Sequence, residues 1–126
     1  MLGKYIIVGT GGAVGSLLRW GISLSFIRLG MTGFPFATLL VNLLGAFIIA
    51  FLYSKISVKR QKVLWFFATG LIGSFTTFST FSVELLELVT GMKFMMAFTY
   101  FIISLFGGLI FIRLGSMAGK RGTEKC

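Results

Sequence analysis

The sequence predicts an all-helical integral membrane protein with four membrane-spanning helices, the third of them broken near the middle of the membrane. Hydrophobic residues make up 56% of the chain, and the mean hydropathy of +0.98 is far above the range typical of soluble domains. Apolar stretches of about 20 residues, the length that a bilayer core requires, occur four times along the 126 residues. Hydroxyl side chains interrupt the third stretch, which indicates a break in that helix.

The composition limits the chain to one domain, residues 1–126, in a lipid bilayer. Only 12% of the residues are charged, and the sequence contains neither histidine nor aspartate. These residues offer no metal-binding cluster and no nucleophile–base pair, so we predict that the protein is not an enzyme. The net charge of +9 does not indicate nucleic-acid binding, because the basic residues cluster where the chain leaves the membrane.

Four apolar segments position the spans. The first follows Lys4, as in a signal peptide, but Arg19 interrupts it and no A-x-A-like site follows, so we do not expect cleavage. The third segment is longer than a straight span requires, which indicates an interrupted or strongly tilted helix. The loops are too short to hold a soluble domain. We place the spans at Tyr5–Ile27, Phe36–Ser54, Val63–Val89 and Phe94–Leu114.

The basic residues are distributed unequally between the two sides of the membrane. Four spans place both termini on one side, which carries nine basic residues, whereas Arg28 and Lys93 lie on the other. Because cytoplasmic loops carry the excess of lysine and arginine, we predict a multi-pass protein of the cell inner (plasma) membrane with both termini in the cytoplasm. The single cysteine, Cys126, cannot form an internal disulfide. The nine residues are Lys4, Lys55, Lys59, Arg60, Lys62, Arg113, Lys120, Arg121 and Lys125.

Each span carries small or polar residues at helical spacing. Small residues let membrane helices approach closely, and polar residues hydrogen-bond between them. Packing explains the glycines, but Arg19, Asn42 and Glu84 are costly in hydrocarbon, and each requires a partner or water. We therefore expect these faces to point inward. They consist of Gly12, Ser16, Arg19 and Ser23; Thr38, Asn42 and Gly45; Thr77, Thr80, Glu84 and Glu87; and Tyr100, Ser104 and Gly108.

Three of these features leave alternatives open. Residues 73–82 alternate hydroxyl side chains with phenyl rings, which indicates either a helix-packing face or a path for an ion. Arg19 extends to the membrane interface, pairs with Glu84 or Glu87, or lines an aqueous vestibule that attracts anions. Asn42 is either a clasp between helices or, through its two N–H groups, a donor to a desolvated anion.

The glycines, the polar residues and the hydroxyl string together resemble the Fluc (CrcB) family of fluoride channels. The resemblance covers nearly the whole chain, and its most specific part is the Thr-Thr-Phe-Ser-Thr-Phe string at residues 76–81. The span count and the chain length also match. The matching motifs are Gly11-Gly12-x-x-Gly15-x-x-x-Arg19, Phe34-Pro35-Phe36-x-Thr38-Leu39-x-x-Asn42-x-x-Gly45 and Gly70-x-x-Gly73-x-x-Thr76-Thr77-Phe78-Ser79-Thr80-Phe81-Ser82-x-Glu84.

The resemblance implies a passive, fluoride-selective channel that exports cytoplasmic fluoride and so relieves its toxicity. Channels of this family are antiparallel dimers of four-helix subunits, with two pores and a central sodium ion. By this resemblance, Phe78 and Phe81 line the fluoride pore with the positive edges of their rings, and Asn42 donates to fluoride. The polar track of the pore would consist of Thr38, Ser79, Thr80 and Tyr100.

The same resemblance implies roles for four further residues. Glu84 matches the pore-side glutamate of the family, and Arg19 matches its vestibule arginine. A structural Na⁺ is expected at the dimer centre, held by the backbone carbonyls of Gly73 and Thr76 from each subunit. Such a site suits a helix break, because irregular backbone at membrane depth must have polar partners.

The charge distribution departs from part of the family. Many members insert in both orientations and carry nearly balanced loop charge, whereas nine basic residues against two favours a single orientation here. The antiparallel partner is therefore either this chain itself or a paired homologous subunit.

Two other functions are alternatives to a channel. A small four-helix proton-coupled multidrug exporter requires a carboxylate in its first span, where this chain has Arg19 and no acidic residue. A non-transporting membrane assembly subunit would use the polar faces for helix packing alone.

Overall fold

The computed structural model describes residues 2–57 and 59–121, and of Arg121 the backbone alone. Over these ranges the chain is helical, with short turns between the helices. Cys126 and Lys125, which enter the sequence predictions, lie outside the described residues. The elements are α1 (Leu2–Arg28), α2 (Phe36–Lys55), α3 (Gln61–Leu64), a π-helical segment (Trp65–Ile72), α4 (Gly73–Phe75), α5 (Phe78–Thr90) and α6 (Phe94–Arg121).

Four stretches are long and apolar enough to cross a membrane: Leu2–Arg28, Phe36–Lys55, Gln61–Thr90 and Phe94–Lys120. The third stretch, called the third span below, joins α3, the π-helical segment and α4 to α5. It is interrupted between Phe75 and Phe78. The prediction of an all-helical membrane protein with four spans and a broken third helix is confirmed.

The ends of the helices follow local backbone chemistry. At the end of α1, Gly30 has a φ of +72°, and the amide of Met31 donates to the carbonyl of Phe26 at 3.1 Å. This bond crosses a left-handed glycine, as in a Schellman cap, so it satisfies a carbonyl that the helix end would leave open. Pro35 precedes α2 and cannot extend a helix backward, which places the start of α2 at Phe36.

Glycines bring two pairs of helices into backbone contact. A Cβ atom at Gly15 would overlap the carbonyl of Leu71, so α1 lies directly against the π-helical segment. A Cβ atom at Gly115 would overlap the carbonyl of Phe47, so α6 lies directly against α2. Close approach through small residues is the usual way in which helices associate in lipid. The G-x-x-x-G of the first span is therefore a packing motif, as predicted.

The largest apolar side chains face outward, as expected of a protein whose solvent is lipid. Leu17 and Trp20 on α1 are 65% and 64% exposed. Buried apolar residues follow the first half of the third span, at Leu64, Ala68, Ile72 and Phe75, and a second buried cluster lies where α2, α5 and α6 meet. Its centre is Tyr100, which is fully buried and lies in a cluster with Leu88 and Ala97. This cluster supports the polar residues of α5 that the sequence identified.

Candidate functional site

The break in the third span is two residues long. Thr76 and Thr77 are extended, with ψ of 155° and 122°. Thr77 is the N-cap of α5, because its Oγ1 accepts a hydrogen bond from the amide of Thr80 at 3.2 Å. The hydroxyl of Thr76 donates to the carbonyl of Ile72 at 3.0 Å. That carbonyl also accepts from the amide of Thr76 at 3.0 Å, so the hydroxyl of Thr77 is the one that satisfies a backbone group freed by the break, the amide of Thr80.

The side chain of Asn42 on α2 hydrogen-bonds to the backbone at the break. Its Nδ2 donates to the carbonyl of Thr77 at 3.0 Å, and its Oδ1 accepts from the amide of Thr77 at 2.8 Å. Of the two interpretations of Asn42, the structure therefore supports the clasp directly. One of the two N–H bonds of the amide is used in this way, and the second has no partner among the described residues.

The break leaves the backbone carbonyls of residues 73–76 without their helical donors, and those of Gly73 and Thr76 are two of these four. In an unbroken helix, the carbonyls of Gly73 and Thr76 would accept from the amides of Thr77 and Thr80. Both amides instead donate to side-chain oxygens, of Asn42 and of Thr77 respectively. Within the described chain no other amide replaces them. Carbonyls freed by unwound helices are typical ligands of Na⁺ in membrane proteins. The carbonyl oxygens of Gly73 and Thr76 are therefore of the type that coordinates Na⁺.

Glu84 lies at the centre of a buried hydrogen-bond network. Its Oε1 accepts from the hydroxyl of Thr38 at 2.7 Å, and its Oε2 accepts from the hydroxyl of Tyr100 at 2.8 Å. Thr38 is 5% exposed and Tyr100 is fully buried. Two charge-assisted hydrogen bonds of this length satisfy a carboxylate that hydrocarbon alone would not tolerate. Three residues that the sequence placed on three different spans therefore form one unit.

The two phenylalanines of α5 differ in their surroundings. Phe81 packs on Tyr100, with ring centroids 5.0 Å apart. Phe78 is 80% exposed, although its ring lies only 5.9 Å from that of Phe81. It borders a cavity of about 340 Å³ that Asn42 and Thr77 also line. The ring of Phe78 thus lies at the surface of the chain, beside the polar break.

The hydroxyls of α5 divide into two groups. Thr80 lies 3.1 Å from Thr77, oxygen to oxygen, and Ser82 donates to the carbonyl of Phe78 at 3.0 Å. The hydroxyl of Ser79 is exposed and has no hydrogen-bond partner among the described residues. Thr80 and Glu84 also line an outer cavity of about 490 Å³ that extends to Glu87 and Lys93.

Arg19 does not pair with the acidic residues of α5 in the structure. The Nε of Arg19 is buried and without a hydrogen-bond partner among the described residues, and both oxygens of Glu84 are engaged elsewhere. The ion-pair interpretation therefore finds no support, and the interface and vestibule interpretations stay open.

Ser104, which the sequence analysis placed on the same face as Tyr100 without a role in the pore, is a further candidate for the site. Its Oγ is buried and has no partner within the described ranges, and it lies one helical turn from Tyr100 on α6. Its spacing of four residues from Tyr100 was the signal that could have identified it.

Comparison with known proteins identifies the family of the chain. The family described as "CrcB-like protein, Camphor Resistance (CrcB)" matches residues 6–116. The chain is 42% identical over 118 residues to the fluoride-specific ion channel FluC 1 of Bacillus cereus, covering 91% of this chain and 82% of that protein. It is 39% identical over 120 residues to the fluoride-specific ion channel FluC 2 of Listeria monocytogenes, covering 93% of this chain and 91% of the relative. Because the family match covers residues 6–116 and the relatives are about 40% identical over more than nine-tenths of the chain, this chain belongs to the CrcB family.

Proposed function

We propose that this chain is the subunit of a fluoride-selective channel through which cytoplasmic fluoride leaves the cell passively. Two relatives with about 40% identity over nearly the whole chain are fluoride-specific ion channels. The observation that carries the proposal is the break at Thr76 and Thr77, which collects an amide, hydroxyls and two phenyl rings at one depth. An ion path, unlike an enzyme site, requires only such weak and repeated contacts.

The pore would begin at the break and follow α5 and α6. Fluoride is small and strongly hydrated, so a pore must replace its water with short donors and must avoid a single tight site. Asn42 would offer its second N–H, Ser79 and Thr80 their hydroxyls, and the rings of Phe78 and Phe81 their positive edges. Each of these groups binds weakly alone, which suits conduction.

Thr38 and Tyr100 would complete the polar track together with Ser104. The hydroxyls of Thr38 and Tyr100 donate to Glu84 in this structure. They can donate to fluoride only when their hydrogen bonds to Glu84 break. Ser104 has a buried hydroxyl without a partner within the described ranges, so it can donate to fluoride without first breaking another hydrogen bond. Arg19 would attract anions to the vestibule through its charge.

The functional unit would be an antiparallel dimer with two pores. Phe78 is 80% exposed and borders an open cavity, so a second subunit would cover it. The carbonyls of Gly73 and Thr76, freed by Asn42 and Thr77, would hold a structural Na⁺ together with their counterparts from the second subunit. That ion would be coordinated by the broken helices of both subunits and would place a positive charge between them.

The second subunit would be a differently charged homologue rather than this chain. Nine basic residues on the side of the termini against two on the other would hold the termini in the cytoplasm. Reporter enzymes fused to the C-terminus would then give an almost purely cytoplasmic signal, and this chain alone would protect fluoride-sensitive bacteria poorly. Equal reporter signals on both sides, or full protection by this chain alone, would instead identify a homodimer that inserts both ways.

Reconstitution into liposomes separates the channel from its alternatives. A channel releases trapped fluoride when a potassium ionophore balances the charge, and it needs no proton gradient. A multidrug exporter instead exchanges protons for a cationic drug, and an assembly subunit produces neither flux. Drug–proton exchange, or the absence of fluoride efflux from vesicles that hold properly folded dimers, would contradict the proposal.

A further inference from the structure

A third cavity lies where α1 begins, α2 ends and α3 begins. Its volume is about 450 Å³, and we call it the Lys4 groove. Five of its six lining side chains carry a hydrogen-bond donor, and none of them is acidic. The lining residues are Lys4, Tyr53, Gln61, Leu64, Trp65 and Thr69.

The donors of the Lys4 groove are unused by the protein. The side chains of Tyr53, Gln61 and Thr69 form no hydrogen bond to any residue that the structure describes. The ammonium of Lys4 lies 5.0 Å from the centroid of the Trp65 ring. This cation–π contact holds the charge over the groove without neutralising it. The groove therefore offers a positive charge and several donors to an acceptor from outside the chain.

The position of the groove corresponds to the headgroup level of the membrane. Lys4 is near the start of the first span, Tyr53 is near the end of the second, and Gln61 begins the third. Tyrosine and tryptophan are enriched at this level. Thr69 lies about 10 Å deeper along the same helix, where the ester carbonyls of a lipid would be.

We propose that the Lys4 groove binds the headgroup of an anionic phospholipid such as phosphatidylglycerol. A phosphodiester supplies acceptors for Gln61, Tyr53 and the indole N–H of Trp65, and its negative charge faces the ammonium of Lys4. The acidic residues of the described chain, Glu84 and Glu87, lie on α5 toward the other end of the bundle. A zwitterionic lipid brings a second ammonium toward Lys4, so it fits the groove less well.

Titration of the purified protein with single lipids, followed by native mass spectrometry, tests this site. Phosphatidylglycerol is expected to bind more tightly than phosphatidylcholine, and Lys4→Gln is expected to weaken its binding about fivefold. Gln61→Ala is expected to weaken it as well. Lys59→Gln is the matched control, because Lys59 is exposed at the same end of the chain and lies outside the groove. Circular dichroism confirms that each variant is folded.

Three results would overturn the proposal. Equal binding of both lipids would show that the groove does not discriminate between headgroups by their charge. Equal weakening by Lys4→Gln and Lys59→Gln would show only a diffuse attraction to the basic end. Inorganic phosphate that raises the melting temperature as much as phosphatidylglycerol would identify a site for a free anion rather than for a lipid.

Discussion

Asn42 and Thr77 are joined by two reciprocal hydrogen bonds, from Nδ2 to the carbonyl at 3.0 Å and from the amide to Oδ1 at 2.8 Å. One side chain of α2 thereby fixes the backbone of the third span at the residue where its helix restarts. The same pair of bonds withdraws the amide of Thr77 from the carbonyl of Gly73. The clasp and the freed carbonyl are thus one arrangement, and a change in Asn42 affects both.

Asn42→Asp is expected to reduce fluoride efflux about fivefold or more, since a buried polar group left without its partner costs about 1–3 kcal/mol. The carboxylate cannot donate to the carbonyl of Thr77, and its charge repels the anion. Efflux from liposomes with equal amounts of folded protein measures the effect. Equal efflux from Asn42→Asp and wild type would show that the amide is not needed.

Phe78→Ile and Phe81→Ile are each expected to reduce fluoride efflux strongly while the protein still assembles. Isoleucine keeps apolar bulk but lacks the positive ring edge that would contact the anion. Phe98→Ile, at a 64% exposed position of α6, makes the same change on the outer surface and should have little effect. Size-exclusion chromatography in detergent checks assembly. Wild-type efflux in both α5 variants would assign these rings to packing.

Tyr100→Phe is expected to lower the free energy of unfolding by about 1–3 kcal/mol, because it removes a charge-assisted hydrogen bond and leaves Oε2 of Glu84 unsatisfied. The ring itself, which is fully buried, is retained. Unfolding in mixed micelles with increasing SDS measures the change. Tyr5→Phe, at a position 70% exposed, is the control and should be neutral. A neutral Tyr100→Phe would show that Glu84 obtains its stabilisation elsewhere.

Met92→Gly is expected to raise the free energy of unfolding by about 0.5–1 kcal/mol, because Met92 has a φ of +58° and a side chain disfavours this left-handed conformation. The Met92 side chain is 75% exposed, so little packing is lost. Met117→Gly, at a 49% exposed position inside α6, should instead destabilise by at least a similar amount. The same unfolding assay compares the two. Destabilisation by both variants would show that the left-handed backbone at Met92 is not strained.

The sequence analysis predicts the four spans and the broken third helix because both depend on local composition. Apolar length defines a span, and hydroxyls near Thr76 indicate a break. It also identified Thr38, Glu84 and Tyr100 as inward-facing. It did not predict that they form one network, because the contact between Thr38 and Glu84 joins residues 46 positions apart. Such contacts depend on how two helices are rotated against each other.

The same limit explains the alternatives that stayed open for Asn42 and Arg19. Both residues are costly in free energy in hydrocarbon, so each needs a partner. This cost does not determine which residue the partner is. The structure provides Thr77 for Asn42 and leaves Nε of Arg19 without one among the described residues. The turn after α5 was also unpredictable in detail, because Gly91 is the residue suited to a positive φ and Met92 adopts it.

Parallel efflux of fluoride and chloride from the same liposomes tests the central claim most directly. Vesicles that hold this chain with its partner subunit are loaded with both anions, a potassium ionophore starts the release by balancing charge, and two ion-selective electrodes record it. The account predicts rapid release of fluoride with chloride retained, and loss of the fluoride signal when Asn42→Asp replaces the wild type. Release of both anions at comparable rates, or unchanged fluoride release in the variant, would contradict it.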